Sequence, residues 1–173
     1  SRITVRQALD GLAQAGYIYK VRVKGSFVAS KKAGMQLNHL IGFSDEMRSL
    51  GLEPSTILME QSLMLPTEAV AKALNIDVTQ KIYFLTRIRC ADGVPMAVEK
   101  VHMPFYRFAG IETQDLSKSL YALLKEQYGC ECSKAVQSIQ AGAASSHDAK
   151  LLKIKTGMPV LCISRTTYGM EIG

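Results

Sequence analysis

Two arginines, Arg87 and Arg89, stand two positions apart in a segment with the composition of a β-strand. Residues 81–90 and 94–103 are rich in apolar and β-branched residues and flank Ala-Asp-Gly at 91–93, a pattern that predicts a hairpin. Side chains two residues apart on a strand share one face and lie about 7 Å apart. Two guanidiniums so arranged can converge on one phosphate or carboxylate, because each offers several charged hydrogen-bond donors.

The register of this hairpin decides whether an acid joins the two arginines. We expect a three-residue loop at 91–93 with its glycine in the left-handed conformation, so that Cys90 pairs with Val94. Alternation then places both arginines and Glu99 on one sheet face, where Glu99 can accept hydrogen bonds from hydroxyl or amide groups. A two-residue loop would turn Glu99 to the opposite face. From the pattern alone, a solvated surface that discourages edge pairing is the favoured alternative.

The other reactive side chains form no pattern typical of catalysis or metal binding. Cys130 and Cys132 are a single Cys-x-Cys motif without the further ligands that a zinc site needs, and the three histidines are scattered along the chain. The sequence contains neither a nucleophile motif nor a glycine-rich phosphate loop. We therefore predict no catalytic residue, no metal site and no cofactor.

The composition is typical of a globular protein with a core. Hydrophobic residues make up 47% of the 173 residues, and no apolar run approaches the length of about 18 that a membrane span requires. The four cysteines stand among ordinary residues, with no secretory signal before them. We expect a cytoplasmic protein that does not contact a membrane.

The positive charge of the chain is concentrated at its amino end. The first 32 residues contain seven lysines and arginines but one acid, Asp10, and this surplus of six equals the net charge of the whole chain. The remaining residues contain equal numbers of acids and bases. A short cationic segment beside a larger neutral body is typical of a polyanion-binding module attached to a separate domain.

Residues 3–15 carry an apolar stripe at helical spacing, and Gly16 is the expected helix end. Two short β-like runs at 17–21 and 24–29 follow and form a basic hairpin. Polar side chains suited to base edges and phosphates of a major groove lie at the helix start: Arg2, Thr4, Arg6 and Gln7. Helix and hairpin together predict the recognition helix and wing of a winged helix-turn-helix. The alternative is a charged face that only keeps the helix soluble.

Residues 1–9 together with Leu12, Gly16 and the run Lys24-Gly-Ser-Phe-Val28 resemble the second half of a GntR-family DNA-binding domain. The resemblance implies that double-stranded operator DNA is contacted by Ser1, Arg2, Thr4, Arg6, Gln7, Lys24 and Gly25. The first two helices of that domain have no counterpart here, and we expect the chain to be truncated at both ends.

Residues 36–168 resemble the UTRA effector-binding domain of the HutC subfamily, which has a chorismate-lyase-like fold. The similar stretches are Phe43-Ser-Asp-Glu-Met47 with Gly51, Thr86-Arg-Ile-Arg89, Val94-Pro-Met-Ala-Val-Glu99, Pro104-Phe105, Ser119-Leu-Tyr121 and Leu161-Cys-Ile-Ser-Arg-Thr166. The resemblance implies that an anionic group is bound by Phe43, Ser44, Arg87 and Arg89. It implies that sugar hydroxyls are bound by Glu99, Ser119 and Tyr121. From the residues alone, we would expect Ser119 and Tyr121 to lie beside the buried apolar face of a helix, with no role in binding.

The pattern predicts an α+β fold, an antiparallel sheet with flanking helices, preceded by the C-terminal half of the winged helix-turn-helix. Expected helices in the body are 43–50, 66–75, 116–128 and 145–153, and expected strands are 56–65, 81–90, 94–103, 134–141 and 159–168. The expected domains are a partial DNA-binding domain at 1–30, a linker at 31–36 and a C-terminally truncated UTRA domain at 37–173.

These features favour a ligand-responsive transcription regulator, a repressor that binds operator DNA as a homodimer. Its effector would be a small anion, a sugar phosphate or a carboxylate, with an amino-sugar phosphate as the leading candidate. One alternative is a lyase-like enzyme acting on a small carboxylated substrate, although fold kinship is weak evidence for chemistry. Another is a sugar-phosphate-binding module without a regulatory task. The basic amino end argues against both, and we predict that the protein is not an enzyme.

Overall fold

The computed structural model describes residues 1–14, 17–21, 25–28 and 41–171. Contacts between residues divide the chain into two units, 1–36 and 37–173. The predicted helix end at Gly16, the predicted DNA contact Lys24 and the predicted linker 31–36 lie outside the described residues.

The described residues of the amino-terminal unit form one helix and one hairpin. Helix α1 spans Arg2–Gln14, and strands β1 (Ile18–Val21) and β2 (Gly25–Val28) pair in antiparallel fashion. The Oγ of Ser1 accepts a hydrogen bond from the backbone N–H of Thr4 at 3.4 Å, so Ser1 acts as the helix N-cap. The predicted helix and the predicted pair of short strands are therefore both present.

Residues 41–171 of the second unit form two antiparallel sheets and four α-helices. Its helices are α2 (Phe43–Ser49), α3 (Glu68–Leu74), α4 (Leu120–Tyr128) and α5 (Ser146–Leu152), with short 3-10 turns at Phe105–Arg107 and Ile111–Thr113. Its strands are β3 (Pro54–Met64), β4 (Ile82–Ala91), β5 (Val94–Pro104), β6 (Cys130–Ala143) and β7 (Pro159–Glu171). The first three strands form a sheet of order β3-β4-β5, and β6 pairs with β7. The predicted antiparallel α+β architecture is confirmed.

Strand β4 is the centre of the three-stranded sheet, and both of its faces are covered. Tyr83 and Leu85 point into the main apolar cluster, which α4 and the segment 105–116 complete. Helices α3 and α5 contact β5. Because both faces of β4 are packed, nine of its ten residues are buried, including charged ones. The strand can therefore hold a side chain rigidly on either face.

Local sequence explains where the helices of this unit begin. Thr67, Ser119 and Ser145 each accept a hydrogen bond from a backbone N–H in the first turn of α3, α4 and α5. The prediction that α4 begins at Leu116 is wrong by one turn. Asp115 accepts hydrogen bonds from the backbone N–H and hydroxyl of Ser117, which holds this segment in a tight turn instead.

Among the described residues, no helix combines the length and the apolar character that crossing a bilayer requires.

Candidate functional site

Arg87 and Arg89 lie on β4 with exposed fractions of only 2% and 3%. The alternative of a solvated arginine surface is therefore wrong. The two side chains follow Tyr83 and Leu85 on the same face of the strand, so the apolar cluster continues directly into a pair of buried guanidiniums. Buried charges are costly unless they are paired, and the surroundings of each arginine decide what it can do.

The hairpin between β4 and β5 differs from the predicted three-residue loop. Asp92 (φ 49°) and Gly93 (φ 75°) form a two-residue turn in which both residues have positive φ, as a tight hairpin turn requires. Asp92 tolerates this conformation because its carboxylate accepts a 2.8 Å hydrogen bond from the backbone N–H of Glu53. The predicted pairing of Cys90 with Val94 is wrong, since Cys90 pairs with Pro95.

A β-bulge keeps Glu99 beside the arginines despite the shorter turn. Cys90 pairs with Pro95 and Arg89 pairs with Ala97, which leaves Met96 as an extra residue on β5. The extra residue shifts the alternation by one position, and Arg87 pairs directly with Glu99. The predicted grouping of Arg87, Arg89 and Glu99 on one face is confirmed, but for a different reason than the one predicted.

The guanidinium of Arg87 is held by four hydrogen bonds. Its Nε and Nη2 donate to Oε2 of Glu99 at 2.9 and 2.6 Å, and its Nη1 donates to the carbonyls of Leu116 and Lys118 at 3.1 and 3.3 Å. The carboxylate of Glu99 is 37% exposed, so the ion pair joins a buried cation to an anion at the edge of solvent. This network fixes Glu99 in one position.

The guanidinium of Arg89 is much less satisfied. Its Nη2 donates to Oγ of Ser44 at 2.8 Å, and its Cζ lies 4.8 Å from the centre of the Phe43 ring. Its Nε is buried and has no hydrogen-bond partner. Burial and the neighbouring Arg87 lower the pKa of Arg89 below its usual value, and Glu99 offsets part of this effect. No carboxylate forms an ion pair with Arg89 within the described part of the chain.

Helix α2 brings Phe43 and Ser44 to Arg89. The helix begins after Gly42 and ends before Gly51, as predicted, and Ser44 is buried. A Cβ added at Gly42 would lie 3.4 Å from Cδ2 of Tyr121, an ordinary van der Waals distance. The start of α2 therefore lies beside the first turn of α4.

Ser119 and Tyr121 lie at the start of α4. The Oγ of Ser119 caps the helix by accepting from the backbone N–H of Ala122 at 3.4 Å. The hydroxyl of Tyr121 lies 3.2 Å from Oγ1 of Thr167 on β7, so this side chain connects α4 to the second sheet. The structure thus connects four elements of the second unit: α2 contacts Arg89 on β4, Gly42 at the start of α2 lies beside Tyr121 of α4, and Tyr121 contacts Thr167 on β7.

Sequence reasoning did not assign to the site three polar residues on α2 and β7, namely Glu46, Arg165 and Thr167. Thr167 contacts Tyr121 as described above. Arg165 on β7 donates from Nε and Nη2 to Oε1 of Gln137, at 3.0 and 2.8 Å. Burial raises the pKa of Glu46 on α2, and the charge of Arg165 partly opposes that shift. Only the alternation of 165 and 167 on one strand could have indicated a shared face, and nothing in the sequence relates that strand to α2.

The predicted DNA contacts of the amino-terminal unit that the structure describes are all accessible. Arg2, Arg6 and Gln7 are exposed on the first turns of α1, while the hydroxyls of Ser1 and Thr4 lie 3.2 Å apart. Gly25, at the start of β2, has φ 113°, a conformation that side chains other than glycine rarely adopt. Asp10 forms an ion pair with Lys20, which joins α1 to β1 and neutralises one of the bases.

The Cys-x-Cys motif at Cys130 and Cys132, which was not predicted to bind a metal, lies at the start of β6. Cys130 is buried and Cys132 half-buried, and burial raises the pKa of the Cys132 thiol. Among the residues that the structure describes, no group of three or more potential ligands could hold a metal ion.

The sequence and the structure were compared with known proteins. Residues 49–171 match the model of the UTRA domain family. The chain is 35% identical over 168 residues to the HTH-type transcriptional repressor NagR of Bacillus subtilis, covering 97% of this chain and 69% of the repressor. The crystal structure of PhnF from Mycobacterium smegmatis superposes with a TM-score of 0.81 at 27% identity, covering 98% of this chain and 74% of PhnF. A GntR-family regulator from Enterococcus faecalis shares the fold, with a TM-score of 0.61 at 24% identity over 66% of this chain and 83% of that one.

Proposed function

Because the chain belongs to the GntR family of UTRA-domain transcriptional regulators, we propose that it is a repressor that responds to a small anionic metabolite. The relatives named above are transcriptional regulators and not enzymes. The proposed effector carries a phosphate or carboxylate together with hydroxyl or amide donors. An amino-sugar phosphate has both.

The incomplete pairing of Arg89 is the observation that carries the effector proposal. A buried guanidinium with one hydrogen bond and an unpartnered Nε stores unfavourable electrostatic energy. A phosphate or carboxylate beside it would provide the missing acceptors, and charge-assisted bonds of this kind are stronger than neutral ones. The hydroxyl oxygen of Ser44 accepts a hydrogen bond from Nη2 of Arg89, and its own O–H can donate to the same anion.

The fixed carboxylate of Glu99 supplies the second half of the proposed site. Arg87 occupies Oε2 of Glu99, and the partly exposed carboxylate retains lone pairs that can accept from a hydroxyl or amide N–H. We assign Arg87 the role of positioning Glu99 and of adding positive charge beside Arg89. Ser119 and Tyr121, at the start of α4, are proposed to contact the remaining hydroxyls of the effector.

The amino-terminal unit is proposed to bind double-stranded operator DNA in the cytoplasm, with the whole protein acting as a homodimer. The support is the surplus of six positive charges in the first 32 residues and the exposure of Arg2, Arg6 and Gln7. A symmetric dimer would present two such helices to successive major grooves. The effector would act by binding one conformation of the dimer better than the other, since only differential affinity shifts an equilibrium.

Calorimetric titration tests the effector site. Glucosamine-6-phosphate should bind the protein, glucosamine should bind at least about tenfold more weakly, and Arg89→Ala should abolish the difference between them. Arg48→Ala is the matched control, because it removes an exposed arginine from α2. Equal affinities of the protein for the phosphorylated and the unphosphorylated sugar would refute an anion site at Arg89.

Salt dependence tests the DNA-binding unit. An operator selected from random duplexes should bind full-length protein with a log–log salt slope of about −0.9 per phosphate neutralised. Arg6→Ala should reduce the steepness by about one phosphate equivalent. Binding that does not change with salt concentration would contradict the proposal.

A further inference from the structure

Two polar contacts between described side chains join helix α4 to the second sheet, one helical turn apart. The hydroxyls of Tyr121 and Thr167 meet at 3.2 Å, and Lys125 forms an ion pair with Glu131 on β6. Within residues 41–171, β6 and β7 pair with each other and with no strand of the first sheet. Contacts made by α4 therefore help to hold the two sheets in their relative position.

The contact between Tyr121 and Thr167 lies at the proposed effector site, whereas both side chains of the ion pair are about half exposed. The ring of Tyr121 lies beside Gly42, which is two residues before Ser44, the hydrogen-bond partner of Arg89. The hydroxyl at the other end of the ring contacts β7. Tyr121 is therefore held from two sides, by the start of α2 and by Thr167.

The hydroxyl of Thr167 can decide how the hydroxyl of Tyr121 is used. A phenol has one O–H to donate and an oxygen that can accept. When the threonine hydroxyl donates to that oxygen, the tyrosine O–H is available to another acceptor. A hydroxyl that accepts one hydrogen bond also donates a stronger one, because successive hydrogen bonds polarise one another. A donor on β7 therefore turns Tyr121 into a better donor toward the effector.

We propose that Thr167 is a positioning residue of the effector site: it donates to Tyr121, whose O–H then points at an oxygen of the effector, and the completed chain of hydrogen bonds restrains the second sheet. This inference rests on the proposed effector, since an empty site offers the tyrosine hydroxyl no ligand to bind. Thr167 acts only through Tyr121. Its contribution must therefore disappear when the tyrosine loses its hydroxyl.

Calorimetric titration of the whole chain with glucosamine-6-phosphate tests the role of Thr167. Thr167→Val, which keeps the branched shape but removes the hydroxyl, should weaken binding about threefold to tenfold, as expected for one hydrogen bond. Thr167→Ser keeps the hydroxyl and should bind within about twofold of the unchanged protein. Thr166→Val is the matched control, because Thr166 is also half-buried but lies on the opposite face of β7.

A double-mutant cycle with Tyr121→Phe shows whether Thr167 acts through the tyrosine. Tyr121→Phe alone should weaken binding at least as much as Thr167→Val does. Adding Thr167→Val to Tyr121→Phe should then change the affinity by less than about twofold. An equal loss in both backgrounds would show that Thr167 acts on the fold or directly on the effector, and would overturn the proposal.

Hydrogen exchange tests the restraint on the second sheet. In the unchanged protein, saturating glucosamine-6-phosphate should slow amide exchange in β6 and β7 at least about threefold, whereas in Thr167→Val the exchange should stay as in the free protein. Glu131→Gln, which breaks the ion pair with Lys125, should leave effector affinity unchanged. Exchange that slows equally in the unchanged protein and in Thr167→Val, or that does not slow at all, would refute the restraint.

Two negative results of the titration have different meanings. If glucosamine-6-phosphate does not bind the unchanged protein, the effector proposal fails and the role of Thr167 fails with it. If the sugar phosphate binds the unchanged protein and Thr167→Val equally well, only the role of Thr167 is refuted.

Discussion

The surroundings of Arg87 and Arg89 differ sharply, although the two residues lie two positions apart on the same face of one strand. Arg87 donates four hydrogen bonds, two to Glu99 and two to backbone carbonyls. Arg89 donates one to Ser44, lies against the Phe43 ring and keeps an unpartnered Nε. Both are almost completely buried.

Burial alone therefore does not define the role of a charged residue. A buried cation with four of its five donors used stabilises the fold in its present arrangement, since removing it leaves its partners unpaired. A buried cation with unused donors is unfavourable for folding and becomes favourable when an anion is bound. We therefore propose a structural role for Arg87 and ligand binding for Arg89. Three predictions test this proposal, and a fourth concerns Glu46 on α2.

Replacing Arg87 should have the largest effect on stability. Arg87→Met should lower the free energy of unfolding by about 2–4 kcal/mol, because Glu99 and the carbonyls of Leu116 and Lys118 lose their donor. Urea unfolding at neutral pH measures the change. A loss below about 1 kcal/mol would show that solvent replaces the network and would remove the contrast between the two arginines.

Replacing Arg89 should leave stability nearly unchanged and remove effector binding. Arg89→Met should change the free energy of unfolding by less than about 1 kcal/mol, in either direction, since it exchanges an unsatisfied buried charge for an apolar side chain. It should weaken binding of the anionic effector at least about tenfold. Urea unfolding and calorimetry measure the two effects on the same sample, and Arg48→Met is the control. A destabilisation as large as that of Arg87→Met would contradict the assignment.

Removing the aromatic ring over Arg89 should lower stability less than replacing Arg87 does. Phe43→Leu keeps an apolar side chain but removes the cation–π contact, so we expect a loss of about 0.5–2 kcal/mol in the free energy of unfolding. In the Arg89→Met background the same change should cost less, because no cation remains above the ring. A double-mutant cycle isolates this coupling. Equal losses in both backgrounds would show that only the apolar area matters.

The smallest effect concerns pH and Glu46. Burial raises the pKa of this carboxyl, so the folded state binds its proton more tightly than the unfolded state does. Its contribution to stability is therefore favourable below the unfolded pKa and is lost as pH rises through the folded pKa. Glu46→Gln should flatten this decline in the mildly acidic range and slightly stabilise the protein at neutral pH. Urea midpoints measured across that pH range, with Glu126→Gln as control, test the sign.

Most of the elements could be predicted from local sequence. Apolar periodicity indicated α1 and β4, and the caps at Ser145 and Gly51 matched the observed ends of their helices. These features depend on residues close together in the chain. The start of α4 was predicted one turn too early, although the Ser119 cap and the turn at Asp115 are local signals. What the local sequence does not show is that the carbonyls of Leu116 and Lys118 in this turn bind Arg87, which lies about 30 positions away.

The sequence by itself determined that two arginines and a glutamate could share a face, since alternation along a strand is a local property. It did not determine how they do so. The two-residue turn and the bulge at Met96 each shift the register by one residue in the same direction, so that the total shift of two residues keeps Glu99 on the predicted face, and the bulge has no clear local signal. Which of the two guanidiniums has more hydrogen-bond partners follows only from the tertiary structure. Their partners are the carbonyls before α4 and the side chains of α2, which lie far from β4 in the sequence but close to it in space.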